Sequence, residues 1–438
     1  MRSTLLSAIF LLITGIDLLA QTETLTVEQC RTLALQNSPL QQKKLYAENI
    51  SALQIRNLRS NFLPRIQFGA QASWQSDVFG LPFNFPGSDI PDVPRDQYKI
   101  TTDLSQRIWD GGSDQYLRRQ REAERDLAAN QVDLDVFSLR EIVTDLFFKT
   151  LLLQESEAIL LNAQKDLENR LKQAEAAVAE GAALRSSADQ IKIQILKTAQ
   201  QISATQADVE SLMLVLSQWI GKSPTEFNLS LPNPSNPPNP SNPSNHPNPS
   251  NPSPPSNPSP HPTYQLFSLQ QRSLQIGKDA LALRGKPRIE AFLQGGIGRP
   301  NPFNFFETGF EPFVLLGLRA AWTPIDWGNK RRESQVFELQ MKNVDIQRQF
   351  FEQRLKANTL KDQQDEMKWQ AQLAQDDAIL ALQEDIVRRA EAQVKNGVMT
   401  MTDYLAQLSL LTQAQLARKT HEIQADQARE MRLSKLGN

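Results

Sequence analysis

From Val132 the apolar side chains return at intervals of four and three, through Val136, Leu139, Val143, Leu146, Leu153, Leu160, Leu167, Leu171, Ala174 and Val178. Thr150, Glu157 and Gln164 are the polar lapses in this stripe. A heptad repeat of that length predicts a helix packed along its whole seam against others. It runs from about Ser113 to Ala179, roughly 100 Å at 1.5 Å per residue. Gly181 breaks it, and Ile191, Ile195, Ile202, Val209, Leu212, Leu216 and Trp219 mark a return helix. A different period precedes the hairpin. Ile66, Phe68, Ala70, Ala72 and Trp74 alternate with Gln67, Gly69, Gln71, Ser73 and Gln75. This period of two predicts a strand with one apolar and one polar face. A second strand has Ile100, Leu104 and Ile108 on one side and Thr101, Asp103, Ser105 and Arg107 on the other. Ahead of the strands, Thr26 with Gln29 is a capping-box start. Ser38-Pro39 opens a second helix, to about Phe62.

The pattern occurs twice. A shift of 216 residues aligns Asp110–Gly221 with Asp326–Gly437 without a gap, and pairs Ala174-Glu175-Ala176 with Ala390-Glu391-Ala392 and Gly181 with Gly397. Upstream, a shift of 223 aligns Pro39 with Pro262 and Pro64-Arg65-Ile66 with Pro287-Arg288-Ile289. Pro82-Phe83-Asn84-Phe85 recurs as Pro302-Phe303-Asn304-Phe305. The chain thus divides into residues 1–20, a first repeat over 21–231, a linker over 232–262 and a second repeat over 263–438. The first repeat has strands near 65–76 and 98–109 and a helical hairpin over 113–220. The second has strands near 288–298 and 312–322 and a hairpin over 328–436. Its stripe is weaker, with Asn343, Gln353 and Gln364 at core-like positions, as suits a helix with one wet face.

Composition narrows the chemistry. Proline is absent from Arg95 to Ser223 and from Ile325 to Asn438, while fourteen prolines crowd between Pro232 and Pro262. That Asn/Pro/Ser tract has no apolar side chain to bury, so it is expected to be extended and disordered, with His246 and His261 as solvated linker residues. Residues 1–20 have the Arg2 n-region, an apolar run from Leu5 to Ile13 and Leu18-Leu19-Ala20 before Gln21, the pattern of an export signal. A formal net charge of −2 argues against nucleic-acid binding. Three His and one Cys leave no disulfide, no expected metal site and no cofactor chemistry. Cys30 is expected inside a helix core and His421 on a helix surface. Gly295-Gly296-Ile297-Gly298 lies in a strand, away from any phosphate-binding helix.

Each repeat therefore offers two strands of about 10–12 residues, long enough for a tilted membrane strand. Four strands cannot close a barrel, and open edges cannot stand in lipid. Two copies would supply eight strands and three copies twelve. Trp74, Trp109 and Trp322 stand at strand ends, as interfacial aromatics do. A water-soluble β region capping a coiled coil is the alternative.

The Leu25-Thr26-Val27-Glu28-Gln29-Cys30 opening, Ala34-Leu35, Asn37-Ser38-Pro39-Leu40, Leu63-Pro64 and Val394…Gly397…Asp403-Tyr404-Leu405 resemble the TolC-like outer membrane efflux protein family. So does the duplicated order of elements. The resemblance implies a mainly α chain with membrane β-strands. It implies a homotrimer, a 12-stranded β-barrel in outer membrane lipid continuous with a 12-helix periplasmic α-barrel. The function implied is the exit duct of a tripartite efflux or type I secretion system, without enzymatic activity. The partners implied are a periplasmic adaptor protein and an inner-membrane transporter. A periplasmic adaptor or structural coiled-coil protein without a pore is the competing function. The family's acidic pore constriction falls on Asp403, which could equally cap the return helix with Thr400. The family's second acidic position is Ala406, and its latching Arg and Tyr fall on Met399 and Val394. Gly181, Leu184, Gly397, Val398 and Met399 are the candidates for the adaptor-docking tip.

Overall fold

A computed structural model describes residues 23–78, 93–231, 261–304 and 307–435. The expected export signal, the Pro82–Phe85 motif, Phe305 and the tract from Pro232 to Pro260 lie outside the described residues. In chain order the elements are β1 (Glu23–Leu25), α1 (Val27–Asn37), α2 (Leu40–Arg59), β2 (Arg65–Trp74), β3 (Asp96–Trp109), α3 (Ser113–Ala179), α4 (Arg185–Ile220) and β4 (Phe227–Leu229). Then follow α5 (Pro262–Ala280), β5 (Arg288–Arg299), β6 (Glu311–Ala321), α6 (Asn329–Lys395) and α7 (Met401–Lys435). A helix, two strands, a 67-residue helix and a return helix of 36 or 35 residues occur in that order twice. Among the described residues no helix is long and apolar enough to cross a membrane.

Two compact units share these elements. One gathers residues 41–78, 93–132, 263–304 and 307–351. Its centre is an antiparallel sheet in the order β2-β3-β5-β6. Register puts Ile66 opposite Leu104, Leu104 opposite Leu293 and Leu293 opposite Leu316. Because successive side chains leave a strand on opposite faces, this row defines one apolar face. Phe68, Ala70, Ile100, Ile297, Val314 and Leu318 share it, and all the large ones are exposed. The other face carries most of the charged and amide side chains, interspersed with Phe292, Phe313 and Leu315. Asp103 accepts from Thr101 at 2.9 Å and from the Gln294 amide on the neighbouring strand. Lys99 lies over the Phe313 ring and Arg319 over Phe292. Gly317 is needed beneath Phe292, since a Cβ there would lie 2.8 Å from the ring. Among the described residues β2 and β6 each have one unpaired edge.

Each strand pair leads into its long helix through the same corner. Asp110 accepts the backbone N–H groups of Gly112 at 2.8 Å and Asp114 at 2.7 Å. Asp326 accepts those of Gly328 at 3.1 Å and Lys330 at 2.8 Å. These bonds satisfy helix-end donors that have no partner in the helix itself. The Lys330 bond is the main cause that holds the Asp326 carboxyl below its ordinary range.

The other unit, which includes residues 23–40, 133–231, 261–262 and 352–435, buries Leu25, Cys30, Val143, Phe147, Phe148, Leu216, Phe227 and Ile423 together. β1 and β4 pair in parallel and lay Leu25 and Phe227 into that core. The expected capping box starts α1: the Thr26 N–H donates to Gln29 Oε1 at 2.8 Å. Arg31 ties α1 to α3 and α7, donating to Thr144 at 2.9 Å and to Glu430 at 3.2 Å.

Two expectations change. The linker was expected to run through Pro262, with His261 solvated. Instead Pro262 is the first residue of α5, and the His261 ring packs on Phe137 at 4.3 Å. An adjacent helix start and an aromatic partner hold this residue, and burial lowers the His261 pKa. His421 was expected on the surface. It is partly buried, meets Asp376 at 2.5 Å and stacks on Trp369. His246 lies outside the described residues.

Burial pushes the Cys30 thiol up to about 12. At pH 8 roughly one in ten thousand such thiols is ionised. We expect mass spectrometry to find Cys30 unalkylated by iodoacetamide in native protein at pH 8 and fully alkylated in denaturant. Rapid native labelling would contradict this core.

Candidate functional site

The two helical turns are built by the same hydrogen bonds, 216 residues apart. At the first, Gly181 N–H donates to Val178 O at 3.1 Å, and Ala182 and Ala183 both donate to Ala177 O, at 2.8 and 3.2 Å. At the second, Gly397 N–H donates to Val394 O at 3.0 Å, and Val398 and Met399 donate to Gln393 O, at 2.9 and 3.3 Å. These bonds close the last carbonyls of α3 and α6. Both glycines are left-handed, with φ of 72° and 70°. No atom lies within 4 Å of a Cβ built on either, so backbone conformation, not space, demands glycine there.

The return helices start differently. α4 begins after Leu184, which supplies no side-chain cap. α7 begins with a hydroxyl and a carboxylate. The Asp403 N–H donates to Thr400 Oγ1 at 3.1 Å, and that hydroxyl donates to Asp403 Oδ2 at 2.6 Å. The carboxylate also sits at a helix N-terminus, where negative charge is favoured. Asp403 is exposed, so the capping bond leaves it facing solvent. Leu184 and Val398, 74% and 76% exposed, project from the turns. Met399 instead packs against the core beneath. Of the five tip candidates, then, two present free apolar side chains, two are open glycines, and one is turned inward.

That core joins both hairpins: Leu167 and Ala174 of α3, Ala188 and Ile191 of α4, Val387 and Ala390 of α6, and Tyr404, Leu405 and Leu408 of α7. Arg170 crosses it. Its guanidinium lies 3.3 Å from Glu391 and 5.0 Å from the Tyr404 ring centre. Burial pushes the Tyr404 hydroxyl up to about 12. An Arg–Tyr pair therefore binds α3 to α7, but not at Met399 and Val394. The only sequence signal was an aromatic beside Asp403; nothing local marks Arg170, a stripe-flanking residue of a long helix. Among the described residues no group of His, Cys, Asp or Glu could hold a metal ion.

Comparison with known proteins agrees with this geometry. The sequence profile described as outer membrane efflux protein matches residues 31–222. No curated protein matches the chain significantly. Among solved structures, the outer membrane protein VceC from Vibrio cholerae aligns with a TM-score of 0.63 and 12% identity, over 93% of this chain and 96% of its own. CusC, whose structures describe folding and transmembrane channel formation, aligns with a TM-score of 0.64 and 13% identity, over 94% of this chain and 93% of its own. The CmeC outer membrane channel of Campylobacter jejuni aligns with a TM-score of 0.63 and 14% identity, over 94% and 85%.

An alanine in the left-handed region costs about 1 kcal/mol. In Gly397→Ala, hydrogen exchange at the Val398 and Met399 amides should therefore be about five-fold faster. Unchanged exchange would show that the turn does not need this backbone state. The profile matches residues 31–222 and the fold is shared over nearly the whole chain, so this chain is similar to outer membrane efflux proteins.

Proposed function

We propose that this chain is an outer membrane channel, the exit duct through which a tripartite efflux or type I secretion system releases its cargo. What carries this reading is the sheet. One face is apolar and exposed, the other carries Gln67, Gln71, Lys99, Asp103 and Gln294, and among the described residues both outer edges lack partners. In water that face would waste its apolar area; in lipid it is solvated, but only if the edges close. A periplasmic coiled-coil protein without a pore has no use for such a face.

Closure comes from copies of the same chain, β6 of one pairing with β2 of the next. An eight-stranded barrel is filled by its own side chains, whereas a wider one holds water. The polar inner face suits the wider case, so three copies and twelve strands are the assembly that makes a conduit. Their hairpins continue it as twelve periplasmic helices, with Gly181, Leu184, Gly397, Val398 and Met399 at the tip. A periplasmic adaptor protein docks on the exposed Leu184 and Val398, and an inner-membrane transporter supplies the energy. Three Asp403 carboxylates at that end form a negative ring that favours cations. Capping and constriction are compatible, because only part of the carboxylate is used by Thr400.

Fractionation tests the reading. The protein should appear in outer membrane extracts as a heat-modifiable oligomer; recovery as a soluble periplasmic protein would refute it. In planar bilayers Asp403→Ala should lower the cation preference, and unchanged selectivity would remove Asp403 from the constriction while leaving the channel intact.

A further inference from the structure

Phe313 stands on β6 opposite Gly296, on the face of the sheet that carries Lys99, Asp103 and Gln294. A side chain there is expected to be wet, yet Phe313 is 6% exposed. Two residues along the strand on the same face, Leu315 is 38% exposed. The cover comes from the turn between β5 and β6. The Phe303 ring meets the Phe313 ring edge-on, 5.4 Å between centres. The Lys99 ammonium lies 5.3 Å from the same Phe313 ring centre.

Two glycines let the turn come in over this face. Gly296 and Gly298 share it with Phe313, because alternate residues of a strand lie on one side. A Cβ on Gly296 would lie 3.1 Å from Phe313 Cζ, and a Cβ on Gly298 would lie 2.9 Å from Pro302 Cδ. Bare backbone admits a close approach that a side chain would block. The Gly295-Gly296-Ile297-Gly298 run is thus a seat for the turn. The turn is itself fixed by the buried Asn301. Its N–H donates to Glu307 O at 3.1 Å, and its amide nitrogen donates to Glu307 Oε2 at 3.1 Å. Its Oδ1 accepts the Phe303 N–H at 3.0 Å. At the base of the turn Arg299 donates to Asp96 of β3 at 2.9 Å. Phe303 is therefore held over the sheet face and does not trail beyond the strand ends, and its ring stays exposed there.

We infer that the β5–β6 turn is an inward-folded strap that narrows the outer mouth of the pore, with Phe303 as the side chain that leaving cargo passes. This rests on the channel reading, in which that face lines the lumen and the strand ends away from the helices open outside the cell. A barrel wider than eight strands keeps a water-filled interior. One strap from each copy takes up part of that space at a single level. There an exposed ring replaces amides and charges, so the mouth discriminates by the size and polarity of what leaves.

Single-channel recordings in planar bilayers test the strap. Phe303→Ala is expected to conduct more than the wild-type channel. Phe303→Cys is expected to lose current when a bulky cationic methanethiosulfonate reagent is added. Val314→Cys, on the opposite, apolar face, should lose none, and the buried Cys30 adds no background. Wild-type conductance in Phe303→Ala, or no loss of current on labelling Phe303→Cys, would overturn the strap and leave the channel reading standing. Wild-type protein that forms no channels would overturn both.

Discussion

A strand edge in hydrocarbon has no water to satisfy its N–H and C=O groups, and each unpaired group costs several kcal/mol. Much of this protein is arranged around that constraint. Among the described residues the sheet ends on both sides with unpaired strands, β2 and β6, and one of its faces carries apolar side chains on all four strands. In the proposed channel, copies of the same chain pair with both edges.

Duplication extends to the long helices. The two long helices have the same length, begin at the same Asp-capped corner and end at the same left-handed glycine. Their surroundings differ. α3 runs through a core with Phe147, Phe148 and Leu151 fully buried, whereas α6 leaves Leu339, Ile346, Phe350 and Leu360 exposed. A helix covered within its own chain keeps most of its heptad stripe apolar, with Thr150, Glu157 and Gln164 as lapses. One that waits for a neighbour or borders water can carry Asn343, Gln353 and Gln364 in the same stripe.

Most of the architecture was legible because its periods are long and unmixed. Alternation over ten residues located β2 to within two residues of its end at Trp74, and the heptads with Gly181 and Gly397 located both hairpins. Elements that depend on a distant partner were not legible. β1 and β4 are three residues each and exist because they pair with one another. His261 takes its place from Phe137, and His421 from Asp376 and Trp369. The Arg170–Tyr404 contact links residues far apart in sequence, and no local spacing marks it. Asp403 was readable as the cap of α7, since the Thr400-x-x-Asp403 spacing starts a helix.

The most direct measurement is the native mass of the complex extracted from the outer membrane in detergent. Three copies of the mature chain are predicted, because twelve strands close the edges and leave the polar face around a water-filled lumen. A single chain, inserted and stable in the outer membrane with β2 and β6 unpaired, would contradict the account at its root.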